Sequence, residues 1–231
     1  MGATKAAKGA GIVLLAMLAA GRAGAGCDDA PEAKVDWSQC DKARLNLSGD
    51  DLSGGNFTHA DLSGGDLRKA KLAGATLVEA SLMRTRFDAA DLSGADLTKA
   101  ALDRAVFAGA NLAGAILVKA ELPRANLTKA NLAGADLSKA ELNRAVLAGA
   151  DLSHAVLGDA YMMRADLRGA TLAGTNMADA ILDLADLRGS DLSAVVGLVQ
   201  EQLAHVCGDA TTKLPVDVTP PPTWSCGAAD D

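Results

Sequence analysis

Large apolar side chains recur at every fifth residue along most of the chain. The register opens with Leu47, Leu52, Phe57, Leu62 and Leu67 and runs unbroken to Leu192; all thirty positions hold Leu, Phe or Met. Two residues before them stand mostly small residues, as in Ala60, Ala70, Ala75, Ala80, Ala90 and Ala95. A period of five suits neither standard element. On an α-helix, five steps of about 100° rotate successive Leu residues by roughly 140°, so no single face is apolar. On a flat strand, five steps reverse the side, so successive Leu residues alternate faces. A chain that turns a corner every five residues lets every Leu point inward, and four right-angled corners close a square.

A square coil of four pentads predicts a second period, and the polar positions carry it. Arg84, Arg104, Arg124, Arg144 and Arg164 lie 20 residues apart. Lys99, Lys119 and Lys139 form another such series, and Gly54, Gly74, Gly94, Gly114 and Gly134 a third. Thirty pentads at four per coil give about 7.5 coils, a stack ~36 Å long at a strand spacing near 4.8 Å. The unit Ala-Asp/Asn-Leu-x-x, as in Ala90-Asp91-Leu92-Ser93-Gly94 and Ala130-Asn131-Leu132-Ala133-Gly134, resembles the pentapeptide repeat family. That resemblance implies an all-β fold: a right-handed quadrilateral β-helix over residues 45–195.

Solenoid coils contact only their neighbours, so both ends need caps. Residues 26–44, with Val35 and Trp37, are the expected N-terminal cap. Residues 196–231 are the expected C-terminal cap: one short helix over 198–206, with Val199, Leu203 and Val206 on one face, and then a Pro-rich extended tail. Residues 1–25 read as an export signal. Lys5 and Lys8 precede an apolar run from Gly9 to Ala20, and Ala23-Gly24-Ala25 is a small-x-small cleavage site. That run is too short to span a bilayer stably, and no later segment approaches the ~20 apolar residues needed. Cleavage after Ala25 removes Lys5, Lys8 and Arg22, taking the formal charge from −7 to −10. A rival reading makes Cys27 a lipid-anchored cysteine after Ala25-Gly26, although Gly24 stands where such signals carry Leu. Four cysteines in an exported chain point to disulfides. The expected pairs are Cys27–Cys40 and Cys207–Cys226, one at each end.

Composition narrows the chemistry. Aromatic residues make up only 3% of the chain, so the interior is narrow and filled by small and unbranched side chains. No nucleophile elbow, phosphate-binding loop, dinucleotide fingerprint or zinc-protease helix occurs. No cofactor, metal site or small-molecule substrate is expected, and no enzyme. His59 and His154 fall at outward repeat positions and His205 in the expected cap helix, and most Asp residues recur just before Leu as part of the repeat, where turn hydrogen bonding accounts for them.

The charged columns remain. Stacked one per coil, Arg84, Arg104, Arg124, Arg144 and Arg164 sit ~4.8 Å apart and repel unless paired. Asp103, Glu121 and Glu141 are the available partners. With Lys99, Lys119 and Lys139 the arginines make a candidate anion-binding strip. The expected function is a noncatalytic, periplasmic or secreted scaffold that binds a protein or polyanion on a flat face, with nucleic acid not expected. The alternative comes from the resemblance: some members of the family imitate acidic, rod-shaped DNA and protect DNA gyrase. Residues 45–194 hold 15 basic and 19 acidic residues, a net of −4, which is a weak charge for a duplex mimic.

Overall fold

The computed structural model describes residues 26–224 and residue 226. The proposed export signal lies outside the described residues. From Asp36 to Val196 the chain is a ladder of single-residue parallel bridges joining positions 20 apart, from Asp36↔Asn56 through Glu121↔Glu141 to Asn176↔Val196. Each pentad contributes one bridged residue and one two-residue turn, so four sides and four corners make each coil. The core is the stack of inward Leu, Phe and Met with the preceding Ala, almost all inaccessible to solvent. Phe87 and Phe107, from adjacent coils, stack face to face with centroids 4.8 Å apart.

The repeat grammar follows from donor bookkeeping in a single pentad. In Ala135–Lys139 the Ala135 N–H closes a turn onto Leu132 O at 3.0 Å, and the Asp136 N–H reaches back to Ala115 O in the preceding coil at 2.9 Å. The N–H groups of Leu137 and Lys139 reach forward to Val156 O and Gly158 O, at 2.7 and 2.9 Å. One donor remains, that of Ser138, and Asp136 Oδ1 accepts it at 2.9 Å. A short acceptor two residues back is what Asp and Asn supply. Between residues 36 and 191, Asp or Asn in this slot makes the same bond throughout, as Asp51, Asn56, Asp91, Asn111, Asn131 and Asp151 illustrate. The expected turn role of these residues is therefore what the structure contains.

Both ends depart from the expected boundaries. Parallel pairing begins at Asp36, ahead of residue 45, with Val35, Trp37 and Cys40 already buried. The five-residue pattern hides this coil because Lys42 stands in a Leu position, its Nζ 4.2 Å from the Trp37 ring centroid. Cys27–Cys40 and the Trp37 Nε1–H bond to Asp29 O fasten residues 26–33 to it. At the other end the helix is a 3₁₀ turn of only four residues, Gln200–Leu203, rather than a helix over 198–206. Leu198, Leu203 and Val206 are buried while Val199 is half exposed. Val199 is extended and precedes the turn, and its N–H is capped by Gln202 Oε1. Pairing then resumes out of step, as Asp186↔Cys207 and Asp191↔Lys213. Trp224 lies against Gly208, where a Cβ would meet the indole at 2.6 Å, and Cys207–Cys226 ties this tail down.

Candidate functional site

The predicted strip runs along one corner of the prism. From Lys34 to Gly189 each turn holds a left-handed residue in its second central position, as a type II turn requires. Glycine takes that conformation without penalty. The corner formed by Gly54, Gly74, Gly94, Gly114 and Gly134 follows the rule, with φ between 62° and 67° at the last four. The diagonally opposite corner does not. There Arg84, Arg104, Arg124, Arg144 and Arg164 have φ of 55–60°. Lys99, Lys119 and Lys139 occupy the next corner in the same conformation. All eight cations are exposed. Backbone bonds place the arginines in register, since Arg104, Arg124 and Arg144 donate to Pro123 O, Asn143 O and Met163 O of the following coil. A non-glycine residue in this conformation costs roughly 1–2 kcal/mol. The fold itself therefore gives no reason to prefer Arg here.

The side between these two corners also abandons the repeat grammar. Its central slot reads Asp41, Asp61, Ser81, Ala101, Glu121, Glu141, Tyr161 and Ile181. From Ser81 onward no residue in it caps its own turn. At two of these turns the structure compensates. Pro123 has no N–H to satisfy, and the Met163 N–H is taken by Asn143 Oδ1 from the coil below at 3.1 Å. The side chains of this slot are thereby released for other use.

Ion pairing is sparser than the spacing suggested. Arg104 lies 3.8 Å from Asp103 and Lys99 lies 2.9 Å from Glu79. Among the described residues Arg84, Arg124, Arg144, Arg164, Lys119 and Lys139 make no salt bridge, and Glu121 and Glu141 do not reach the arginines three residues on. The turn separates them: Glu points out from the side, Arg from the corner. The contrast is with arginines in the first turn position on the adjoining side. Arg68, Arg168 and Arg188 each clamp the Asp two residues earlier, for example Arg168 Nε and Nη2 on Asp166 at 2.8 and 2.7 Å. The Arg68 clamp lowers Asp66 to about 2. These clamps, not foreseen in the sequence, are closed structural pairs.

A second unforeseen feature lies at the C-terminal end of the same side. Tyr161, Met163, Ile181 and Leu184 are 47, 44, 39 and 42% exposed. Tyr161 and Ile181 are bridged neighbours, and Leu184 follows Arg164 on the arginine corner. The readable signal was the change from Asp, Ser, Ala and Glu to Tyr and Ile in one column. A shallow concavity of about 290 Å³ adjoins it, lined by Asp179, Ile181, Asp183, Glu201 and Gln202. Among the described residues no cluster of three or more His, Cys, Asp or Glu is arranged to hold a metal ion. Among the same residues no helix is long and apolar enough to cross a membrane.

Four bridged sides per coil, stacked in parallel at a constant 20-residue step, define a β-helical solenoid. The family model described as Pentapeptide repeats matches in eight copies between residues 38 and 196. The chain belongs to the pentapeptide repeat family, whose known structures imply a right-handed β-helix. It is similar to HetL, a pentapeptide repeat protein involved in heterocyst differentiation regulation from the cyanobacterium Nostoc sp. strain PCC 7120. The two are 30% identical over 80% of this chain and 86% of that one, with a TM-score of 0.35. It is also similar to trypsin-treated QnrB1, a plasmid-mediated fluoroquinolone resistance protein. Identity there is 21%, coverage 78% and 90%, and the TM-score 0.51. A pentapeptide repeat protein of the Arabidopsis thaliana thylakoid lumen is 31% identical, covering 48% of this chain and 67% of that one, with a TM-score of 0.19. No curated protein matches.

Proposed function

We propose that this chain is a noncatalytic, exported scaffold that binds an extended anionic partner along the corner from Arg84 to Arg164, with Lys99, Lys119 and Lys139 on the flanking corner. One observation carries the reading. Five arginines occupy a turn position in which glycine is unstrained, and four of them make no ion pair among the described residues. Like charges stacked this closely repel, and a column of them held without partners points to use. The two disulfides favour an oxidising compartment and so support export. Soluble release and a lipid anchor at Cys27 are distinguished by the intact mass of the native protein.

The test is the triple variant R104Q/R124Q/R144Q. Gln keeps the backbone strain and removes the charge. Binding to heparin and to polyphosphate should weaken at least ~tenfold, and should fall steeply with salt in the wild type. Unchanged binding to both would sink the proposal. The DNA-mimic alternative makes the opposite demand on the molecule. It predicts protection of gyrase in a supercoiling assay at near-stoichiometric native protein, whereas the strip reading predicts none.

A further inference from the structure

Three observations meet at the C-terminal end of the strip. The first is exposure. Leu184 sits at an outward turn position and is 42% exposed, so burial does not explain a leucine there. The second is continuity. Tyr161, Met163 and Ile181 lie on the side that leads into the corner that Leu184 extends beyond Arg164. The third is a change of sign. The lysine corner gives way to Asp159 and Asp179, and Asp183 and Glu201 line the concavity beyond Ile181. Asp183 faces His205 at 3.3 Å, while Asp159 and Asp179 make no salt bridge among the described residues.

A ligand of uniform negative charge matches the arginine corner and is repelled at this end. A ligand whose charge stops where the arginines stop, and continues as an apolar side chain, matches both. Resting on the strip reading above, we infer that the partner is an extended acidic protein segment carrying an apolar anchor. Its carboxylates lie along Arg124, Arg144 and Arg164, and its anchor rests on Tyr161, Met163, Ile181 and Leu184. Exposed apolar side chains clustered on an otherwise polar surface mark interaction sites. The patch spans two coils, far less than the ~800 Å² per partner that a stable dimer buries, so it suits one anchor rather than a second copy. Aliphatic side chains outnumber the single ring, which favours an aliphatic or aromatic anchor over stacked bases.

The experiment selects phage-displayed random 12-residue peptides on the native, disulfide-intact protein. Enriched peptides should carry Asp or Glu next to Leu, Ile, Phe or Trp. A synthetic peptide of that sequence should bind I181S and L184G at least ~tenfold more weakly, the cost of losing one buried anchor. L184G separates binding from folding, because it relieves the turn and should melt no lower than the wild type. R144Q/R164Q should weaken the same peptide. If enriched peptides are acidic and need the arginines but ignore Ile181 and Leu184, the strip survives and the anchor is wrong. If L184G melts markedly lower, Leu184 is structural and the inference falls. Tight binding of oligo(dT) that depends on Tyr161 would replace the protein partner by a nucleic acid. No enrichment, together with no polyphosphate binding, would remove strip and anchor alike.

Discussion

Pentads Ala120–Arg124 and Ala130–Gly134 belong to one coil and lie on opposite sides of it. Their cores are alike: Ala120, Leu122, Ala130 and Leu132 are all inaccessible to solvent. Their turns are alike too, with φ 58° at Arg124 and 67° at Gly134. Outside, they differ in every outward slot. The Gly134 pentad obeys the grammar: Asn131 caps the Ala133 N–H, and its amide also reaches Asn111 in the preceding coil. The Arg124 pentad puts Glu where the cap belongs, Pro where the capped N–H would be, and Arg where glycine is free of strain. The backbone follows the same path through this exchange, at a conformational cost confined to the turn, and that constancy is the lesson. A solenoid can load one side with chemistry while the opposite side keeps the structure regular.

The comparison requires that the core be equivalent beneath both sides. Leu122→Ala and Leu132→Ala should each cost about 2–5 kcal/mol, the range for a fully buried Leu in a close-packed interior. Denaturant midpoints measured on both variants should shift by similar amounts. A much smaller loss at Leu122 would mean that the arginine side is softer inside as well as different outside.

Exchanging the corner residues gives a smaller effect of predictable sign. Arg124→Gly and Arg144→Gly should leave stability unchanged or raise it by up to ~1 kcal/mol each, because relieved strain outweighs the added chain entropy of glycine. Gly114→Arg and Gly134→Arg should lower it by ~1–2 kcal/mol each. A Cβ at either glycine meets nothing within 4 Å, so the cost is conformational rather than steric. Thermal melts of the two pairs should move in opposite directions. If the arginine-to-glycine pair is destabilised by more than ~1 kcal/mol per site, the arginines hold the coils together and the strip loses its functional argument.

How much of this was legible in the sequence follows from the same pentads. The five-residue register gave the inward side chains, and the 20-residue columns gave four sides per coil. Both signals are long and uninterrupted, so chance local propensities average out. The ends were less legible. Lys42 and Trp37 break the Leu register although the backbone already follows the coil, and slippage of one and then two residues after Val196 puts Cys207 and Lys213 out of step. The basic columns could be named, but not their conformation or their lack of partners. A spacing of three residues suggested Glu121–Arg124 contact, as it would on a helix, whereas here a corner intervenes. The apolar patch at Tyr161 and Ile181 went unread because each residue alone is an ordinary exception to the repeat. Only stacking turns four exceptions into a surface.

The smallest effect sharpens the contrast between the open arginines and the clamped ones. Hydrogen bonds from Arg68 hold the Asp66 carboxyl at about 2, below the ordinary aspartate value of 3.8. A carboxylate depressed in the folded state contributes stability above its unfolded value and loses it as the pH falls through the folded value. The Arg68–Asp66 clamp should therefore stabilise fully at neutral pH, weaken below pH 4 and contribute nothing below about 2. Arg68→Gln removes the principal cause of the shift while leaving the Arg68 backbone bond to Asp66 Oδ1 available. Melting temperatures of the variant and the wild type should differ slightly at pH 7 and converge on acidification. Arg144→Gln supplies the control. Arg144 has no carboxylate partner among the described residues, so its variant should track the wild type at every pH. If Arg68→Gln also tracks the wild type throughout, the clamp is as loose as the open corner, and the division between structural and available arginines fails at its most measurable point.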